Sequence, residues 1–441
     1  MSEVAAAERA PWYRGIGRSQ WRSLIAANLG WLFDGFETYA LILTAGTVLH
    51  QLEPGAPTGQ VAFLTGVTIA ITLLGWGFGG MLGGVFADYF GRRRALLVSM
   101  VTYAAFTGLT AVSWSWASFL VLRFLTGFAL GSEWGTGTSL IAEMWPAHAR
   151  AKAAGLMQCG LGLGFFIASA CWYFVAPIGP GAWRYMFLIG VLPALFALWL
   201  RRSVPESQRW KGAQRQRRDL RRRDPAGLNA RERSYTTFTL RAILADPKLR
   251  RITILGSLMS LVTTLAWWGI STWVPAYVAT LAHGGDGAAW ASRAGMIYNA
   301  GAIAGYIAFG FLADRLGRRP AVMLFFGMSL LLTPVLFLWT HSLGLAVVVL
   351  VVNGFFTLGQ YTWMPVWLPE LYPTHLRATG AAFVFNAARF IAFLGPLLAG
   401  VIISRLGGYG IAATVVGSIY ILGLVIAPLV PETRGAQLPE D

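Results

Sequence analysis

Apolar residues run through this chain in stretches of about 20, the length of helix that spans a hydrocarbon layer, and polar residues fall mostly in the gaps between them. Twelve stretches stand out, at roughly 24–48, 61–86, 95–113, 117–141, 153–177, 183–200, 252–280, 290–312, 321–340, 344–369, 378–403 and 411–429. Most gaps are short. The exception is 201–251, which holds Pro205, Pro225 and an arginine-rich run from Arg215 to Arg223. The pattern predicts an all-α membrane protein of twelve transmembrane helices. Residues 1–200 form one six-helix bundle, 201–251 a linking loop, and 252–441 a second bundle with its tail.

The halves match each other. Gly84, Ala87, Asp88, Gly91, Arg92 and Arg93 recur 226 residues later as Gly310, Ala313, Asp314, Gly317, Arg318 and Arg319. Glu143, Pro146 and Arg150 recur after 227 residues as Glu370, Pro373 and Arg377. Two unrelated landmarks sharing one long offset indicate an internal duplication. Six crossings return the chain to its starting side, so the two units run in the same direction as a pseudo-symmetric pair. Parallel repeats of this kind place a substrate site at mid-depth between them. Glycine runs such as Gly75 to Gly84 and Gly155 to Gly164 suit close helix packing, and sliding during transport is the narrower reading.

Composition agrees with the pattern: 56% hydrophobic against 12% charged residues, with mean hydropathy +0.57, leaves too little polar surface to cover a soluble globule of 441 residues. The net charge of +16 raises nucleic acid as a partner. The positions of the basic residues answer otherwise: all Lys and Arg except Arg123, Arg184, Arg293, Arg389 and Arg405 fall on the side of the N-terminus. That bias puts both termini in the cytoplasm and lets the 201–251 loop meet anionic lipid headgroups. Cys159 and Cys171 lie about 18 Å apart along one predicted helix and do not pair with each other. The N-terminal stretch has no signal-peptide pattern, and with Arg far outnumbering Lys and no glycosylation sequon, a bacterial inner membrane is expected.

Charge inside a bilayer costs at least about 2.5–3.5 kcal/mol per group, so the few charged residues within the stretches call for a reason. Asp34 and Glu37 are three apart, on one face of the first helix; two carboxylates so close suit proton uptake, and the alternative is a structural pairing. Glu133 in the fourth helix is the other buried acid, with Gln360 at its place in the second repeat. Arg123 and Arg389 are the cations deep in spans, one in each half. A guanidinium fork suits a carboxylate: Arg389 is the expected substrate-anion site, while Arg123 either joins it or pairs with Asp34 or Glu37. Tyr39, Trp268, Tyr298, Tyr361 and Trp363 are placed to wall a cavity for a flat or apolar acid, with ordinary packing as the alternative. None of the five histidines falls mid-span (His50, His283 and His341 outside, His148 and His375 inside), which removes histidine as a transmembrane relay.

The duplicated loop Gly84-Val-Phe-Ala-Asp88-Tyr-Phe-Gly91-Arg92-Arg93 and its copy at Gly310–Arg319 resemble the signature of the major facilitator superfamily. So do Arg123-x-x-x-Gly127-x-x-x-Gly131-x-Glu133, Val204-Pro205-Glu206-Ser207 and Pro431-Glu432-Thr433. Within it, Asp34-Gly35-Phe36-Glu37 and Asn386-x-x-Arg389 followed by Gly395-Pro396 resemble the metabolite:proton and aromatic acid:proton symporters, although Glu37 replaces their usual second Asp. Glutamines typical of the seventh helix of sugar porters are missing from Leu261 to Tyr277. The resemblance implies that Asp88 and Asp314, with Arg92 and Arg318, clamp one face by accepting hydrogen bonds from a neighbouring helix N-terminus. The Glu143/Arg150 and Glu370/Arg377 pairs then serve as further latches, with structural capping as the alternative. Asn386 joins Gln360 among the substrate-site residues, and the family expectation is a monomer.

The expected function is a secondary transporter that imports a small organic anion with protons by alternating access. The alternatives are a proton-coupled exporter of amphipathic compounds, a sugar-porter-like symporter, or a sensor of transporter fold, for which 201–251 is too short and basic. No nucleophile arrangement, metal cluster or nucleotide loop suggests an enzyme or a cofactor.

Overall fold

A computed structural model describes residues 11–439 apart from 193–194, 197–198, 200–202 and 283–286. The end of the expected sixth stretch, the boundary drawn between 200 and 201, and His283 lie outside the described residues. Helices Arg18–Leu52, Thr58–Phe90, Arg92–Thr110, Trp116–Met144 and Ala147–Val175 make the first five crossings, and the sixth begins with Trp183–Ile189. In the second half the seventh crossing is Pro247–Ala266 and Val274–Leu281, the eighth Gly287–Leu316 and the ninth Arg318–Leu338. The tenth is Leu343–Thr357 and Trp363–Leu371. The eleventh comprises Arg377–Ala387, Arg389–Ala392 and Leu394–Arg405, and the twelfth Tyr409–Gly417 and Tyr420–Ile426.

Among the described residues, eight helical segments are long and apolar enough to cross a membrane. The remaining crossings fall short for local reasons. The third opens on Arg92, Arg93 and Arg94, the fourth carries Arg123, Glu133 and Glu143, the sixth includes undescribed positions, and the eleventh is broken twice. The result is the duplicated architecture expected: two pseudo-symmetric six-helix bundles with an apolar outer surface that exposes side chains such as Leu82, Val121, Leu331 and Val425.

First packs on fifth and second on fourth within a bundle, while fifth against eighth and second against eleventh join the bundles. Small residues allow this approach: Gly75 and Gly79 lie against backbone of the fourth crossing, Gly84 against Ala378, and Gly155 against Gly310.

The second bundle departs from straight helices at mid-depth, and each break has a local cause. In the seventh crossing a π turn, Trp267–Ser271, precedes Pro275, whose ring cannot continue the preceding ladder. In the tenth a 3₁₀ turn, Gly359–Thr362, interrupts the helix. In the eleventh, Nη1 of Arg389 takes the Phe385 carbonyl at 2.7 Å. All three breaks face the same central space.

The 201–251 segment is not a simple loop. Ser207 and Asn229 cap short helices Gln208–Leu220 and Ala230–Thr236, followed by Thr239–Ala245. The first of these sits on the basic face: Trp210 and Gln214 donate to the Asp88 carbonyl at 3.0 and 2.7 Å, and Arg217 donates to the carbonyls of Asp88 and His375 at 3.2 and 3.3 Å. Burial lowers the Arg217 guanidinium from its ordinary value, although Asp88 and Tyr89 oppose that shift.

Candidate functional site

At mid-depth the bundles enclose a narrow central space in three adjoining lobes, each with about 10 Å³ open to water. The first lies between Glu37, Arg123, Trp76 and Trp268. The second is walled by Trp31, Trp76, Trp267, Trp268, Phe165 and Tyr361, with Arg389 on its surface. The third brings together Tyr39, Ser271, Tyr298 and Asn299. Tyr39, Trp268, Tyr298 and Tyr361 thus line the space.

Trp363, Gln360 and Asn386 do not line these three lobes. Trp363 Nε1 donates to Thr263 Oγ1 at 2.9 Å. Gln360 accepts from the same hydroxyl at 3.0 Å and donates to the Thr357 carbonyl at 3.2 Å. Asn386 donates to the Ala382 carbonyl at 2.7 Å. Trp363 and Gln360 are absorbed by packing within the second bundle, whereas Asn386 lies against Gly80 of the first bundle and its Oδ1 has no partner among the described residues.

The acids divide differently from the sequence expectation. Asp34 and Glu37 share a helix face but meet different partners. Glu37 is taken by Arg123 in a buried ion pair, and the same guanidinium donates to Thr110 and Thr126 at 2.6 and 3.1 Å while lying 4.5 Å from the Phe187 ring. Arg123 is therefore paired within the first bundle while it still lines the first lobe, with its Nε unpartnered among the described residues. Asp34 instead faces Glu133 of the fourth crossing, within hydrogen-bond reach. All four carboxyl oxygens of that pair are buried and lack a donor among the described residues.

Arg389 has the opposite character. Its guanidinium lies 4.1 Å from the Phe385 ring and 4.6 Å from the Trp76 ring, beside Tyr361. Its Nε has no partner, and among the described residues no carboxylate lies within ion-pair distance of it. The Nε1 atoms of Trp31, Trp76 and Trp267 in the same lobe are also unpaired. The lobe thus offers one cation and several N–H donors, set between aromatic faces. A buried unmet donor costs roughly 1–3 kcal/mol, more when charged, so an anion bearing acceptor oxygens fits this wall.

The basic face is closed by a lattice that crosses the bundles. Asp88 accepts from the backbone amides of Ala378 and Thr379 at 3.3 and 2.8 Å, at the N-terminus of the eleventh crossing. Its counterpart Asp314 differs: it pairs with Lys152 at 2.6 Å and Arg318 at 3.4 Å, because the lysine side chain reaches it first. Arg92 bridges Asp88 and Glu143, each at 2.8 Å, and Arg318 binds Glu370 at 2.8 Å. The expected pairs within each repeat are exchanged. Arg377 reaches Glu143 at 3.3 Å and Arg150 approaches Glu370 at 3.8 Å, while the Nε of each arginine donates to a carbonyl of its own repeat, Ala142 or Pro369.

Sequence reasoning did not foresee the work of Glu206 and Glu432. Glu206 accepts from the amides of Arg92 and Arg93 at 3.1 Å each; Glu432 accepts from those of Arg318 and Arg319 at 3.0 and 2.9 Å. They cap the third and ninth crossings, where negative charge is favoured at a helix start. Gly91 and Gly317 make room for them, at φ of 106° and 105° and with a Cβ position only 2.4 and 2.9 Å from the glutamate oxygen. The signal was the 226-residue offset between the two Pro-Glu pairs. Burial pushes the Glu432 carboxyl up, but the amides of Arg319, Arg318, Arg434 and Thr433 hold it below its ordinary value.

Comparison with known proteins agrees with this architecture. Residues 39–440 match the family model described as "Sugar (and other) transporter". The chain is 27% identical to the cis,cis-muconate transport protein of Acinetobacter baylyi over 95% of its own length and 96% of the relative's. It is also 27% identical to the sialic acid transporter NanX of Escherichia coli, over 92% of each. The structure of the proton:xylose symporter XylE bound to 6-bromo-6-deoxy-D-glucose superposes with a TM-score of 0.76 at 21% identity, covering 95% of this chain and 98% of that one. With the duplicated bundles, the paired loops and a family model spanning most of its length, this chain belongs to the sugar (and other) transporter family of the major facilitator superfamily, a family of membrane transporters and not of enzymes.

Proposed function

We propose that this chain imports a small organic anion together with protons, acting as a monomer in a bacterial inner membrane. The basic face and both termini are cytoplasmic in this reading, and residues 1–200 and 252–441 rock against each other about the 201–251 linker. One observation carries it: Arg389 is a buried guanidinium on the cavity wall with no counter-ion among the described residues. A permanent charge in that position is uncomfortable unless a visiting anion neutralises it. The aromatic walls then sandwich the body of the solute.

The acids supply the second half of the cycle. With the cytoplasmic lattice shut, Arg389 takes the carboxylate and the acids of the first bundle take the proton. Both neutralisations lower the cost of occluding the site, after which the lattice around Asp88, Glu143 and Arg377 opens and the solute leaves inward. The similarity to relatives named for muconate and sialic acid, both carboxylic acids, supports the anion. Counterflow in proteoliposomes with labelled carboxylates and D-xylose tests the reading. Exchange of at least one carboxylate, abolished in Arg389→Ala while the protein stays monodisperse, is the expected result; exchange of xylose alone would refute it.

A further inference from the structure

We infer that the coupling proton is held as one proton shared between Asp34 and Glu133, and that Glu37 takes no part in proton exchange because Arg123 holds it in a fixed ion pair. The word coupling rests on the proposed function; the location of the proton does not.

The geometry begins at Gly30, one turn before Asp34. A Cβ there would lie 2.2 Å from Glu133 Oε1, so the Glu133 side chain lies down onto the first crossing in the space that only glycine leaves. It ends beside Asp34, whose two oxygens, like its own, have no donor among the described residues. Ionised carboxylates only accept hydrogen bonds; a single proton turns one of them into a donor to the other and satisfies the pair. Glu37 differs in that Arg123 supplies its Oε1 with charge and hydrogen bond together, with Thr110 and Thr126 on the same guanidinium; only its Oε2 is without a donor among the described residues.

The groups around the pair explain how it is linked to the solute. Glu37 faces it from the first crossing, Tyr103 from the third and Arg389 from the eleventh, with Arg123 beyond Glu37 on the fourth. Of the two cations, only Arg389 lacks an acidic partner, and it belongs to the other bundle. Arg389 presents positive charge toward the pair, and an anion bound on it adds negative charge beside the shared proton, which that proton attracts. Proton and anion therefore promote each other's binding, and the linkage is reciprocal. The second repeat has no equivalent, because Gln360 stands where Glu133 does in the first and is satisfied by Thr263 and Thr357.

Infrared titration of purified, solute-free protein tests this without knowing the substrate. The carboxylic-acid carbonyl band of a buried protonated side chain is expected in wild type at neutral pH, to fall at least twofold in Asp34→Asn and in Glu133→Gln, and to persist in Glu37→Gln. Glu133→Asp retains two acids and should keep the band, which guards against misfolding of the amide variants. Loss of the band in Glu37→Gln with its retention in Glu133→Gln, or no such band in wild type, would overturn the assignment. If instead no carboxylate is transported but the band behaves as described, the function falls and the proton site stands.

Discussion

Glu143 of the first bundle and Arg377 of the second meet across the interface at 3.3 Å, so each half supplies counter-charge to the other. The closed face is thereby held by groups that must part company when it opens. Each bond is modest, and the lattice is strong only while all of its members are in register.

Breaking that pair should loosen the closed face specifically. In Glu143→Gln and in Arg377→Gln, hydrogen exchange of the Ala378 and Thr379 amides, which now donate to Asp88, should speed up about tenfold or more. The double variant should add little to either single change, as expected for residues in one network. Strict additivity would show that the two groups act independently.

Arg389 should tolerate neither loss nor simple replacement of its charge. Lysine keeps the positive charge but not the planar fork, so Arg389→Lys should retain a small fraction of anion uptake and Arg389→Gln essentially none. Their melting temperatures in detergent should equal or exceed that of wild type, because an unpaired buried cation is removed or softened. A large drop in melting temperature would mark Arg389 as structural.

The Glu37–Arg123 pair should behave in the opposite way. Removing one member of a buried ion pair typically costs about 3–5 kcal/mol because the other is stranded. Arg123→Gln should therefore melt well below wild type, and the double variant Glu37→Gln/Arg123→Gln should recover much of the loss. Thermal unfolding in detergent reads both.

Glu432 gives a pH dependence with a defined sign. Its carboxyl is held below the ordinary value in the folded chain, so its contribution to stability is fully present above the unfolded-state value. That contribution is lost as pH falls through the folded-state value, below the usual carboxylate range. Glu432→Gln should be less stable than wild type at neutral pH, and the difference should shrink under acid. A gap that stays constant down to strongly acidic pH would show that the cap works without its charge.

Much of this fold could be read from residue order because the bilayer imposes length and the duplication imposes symmetry. The twelve stretches and the paired loops needed nothing more. The partners of Asp34 and Glu37 could not be read: three residues of spacing places them on one face of a helix but does not tell which neighbour each will meet, and Gly30 and Arg123 settle that in three dimensions. The latch pairs were misassigned for a related reason. Glu143 and Arg150 are close in sequence, but the chain reverses between them and points Arg150 toward Glu370. Repeat symmetry also overstated the likeness of Asp88 and Asp314, since Lys152 reaches only the second.

The central claim, that Arg389 carries an anion in step with a proton, is tested most directly by recording tracer and proton flux together. Proteoliposomes holding wild-type protein or Arg389→Gln would be given an inward proton gradient and a panel of labelled carboxylates, benzoate and cis,cis-muconate among them. The expected result is accumulation of at least one carboxylate by wild type with matching proton entry, and neither flux above empty liposomes in Arg389→Gln. Equal accumulation by the two proteins, or carboxylate uptake by wild type with no accompanying proton movement, would contradict the account.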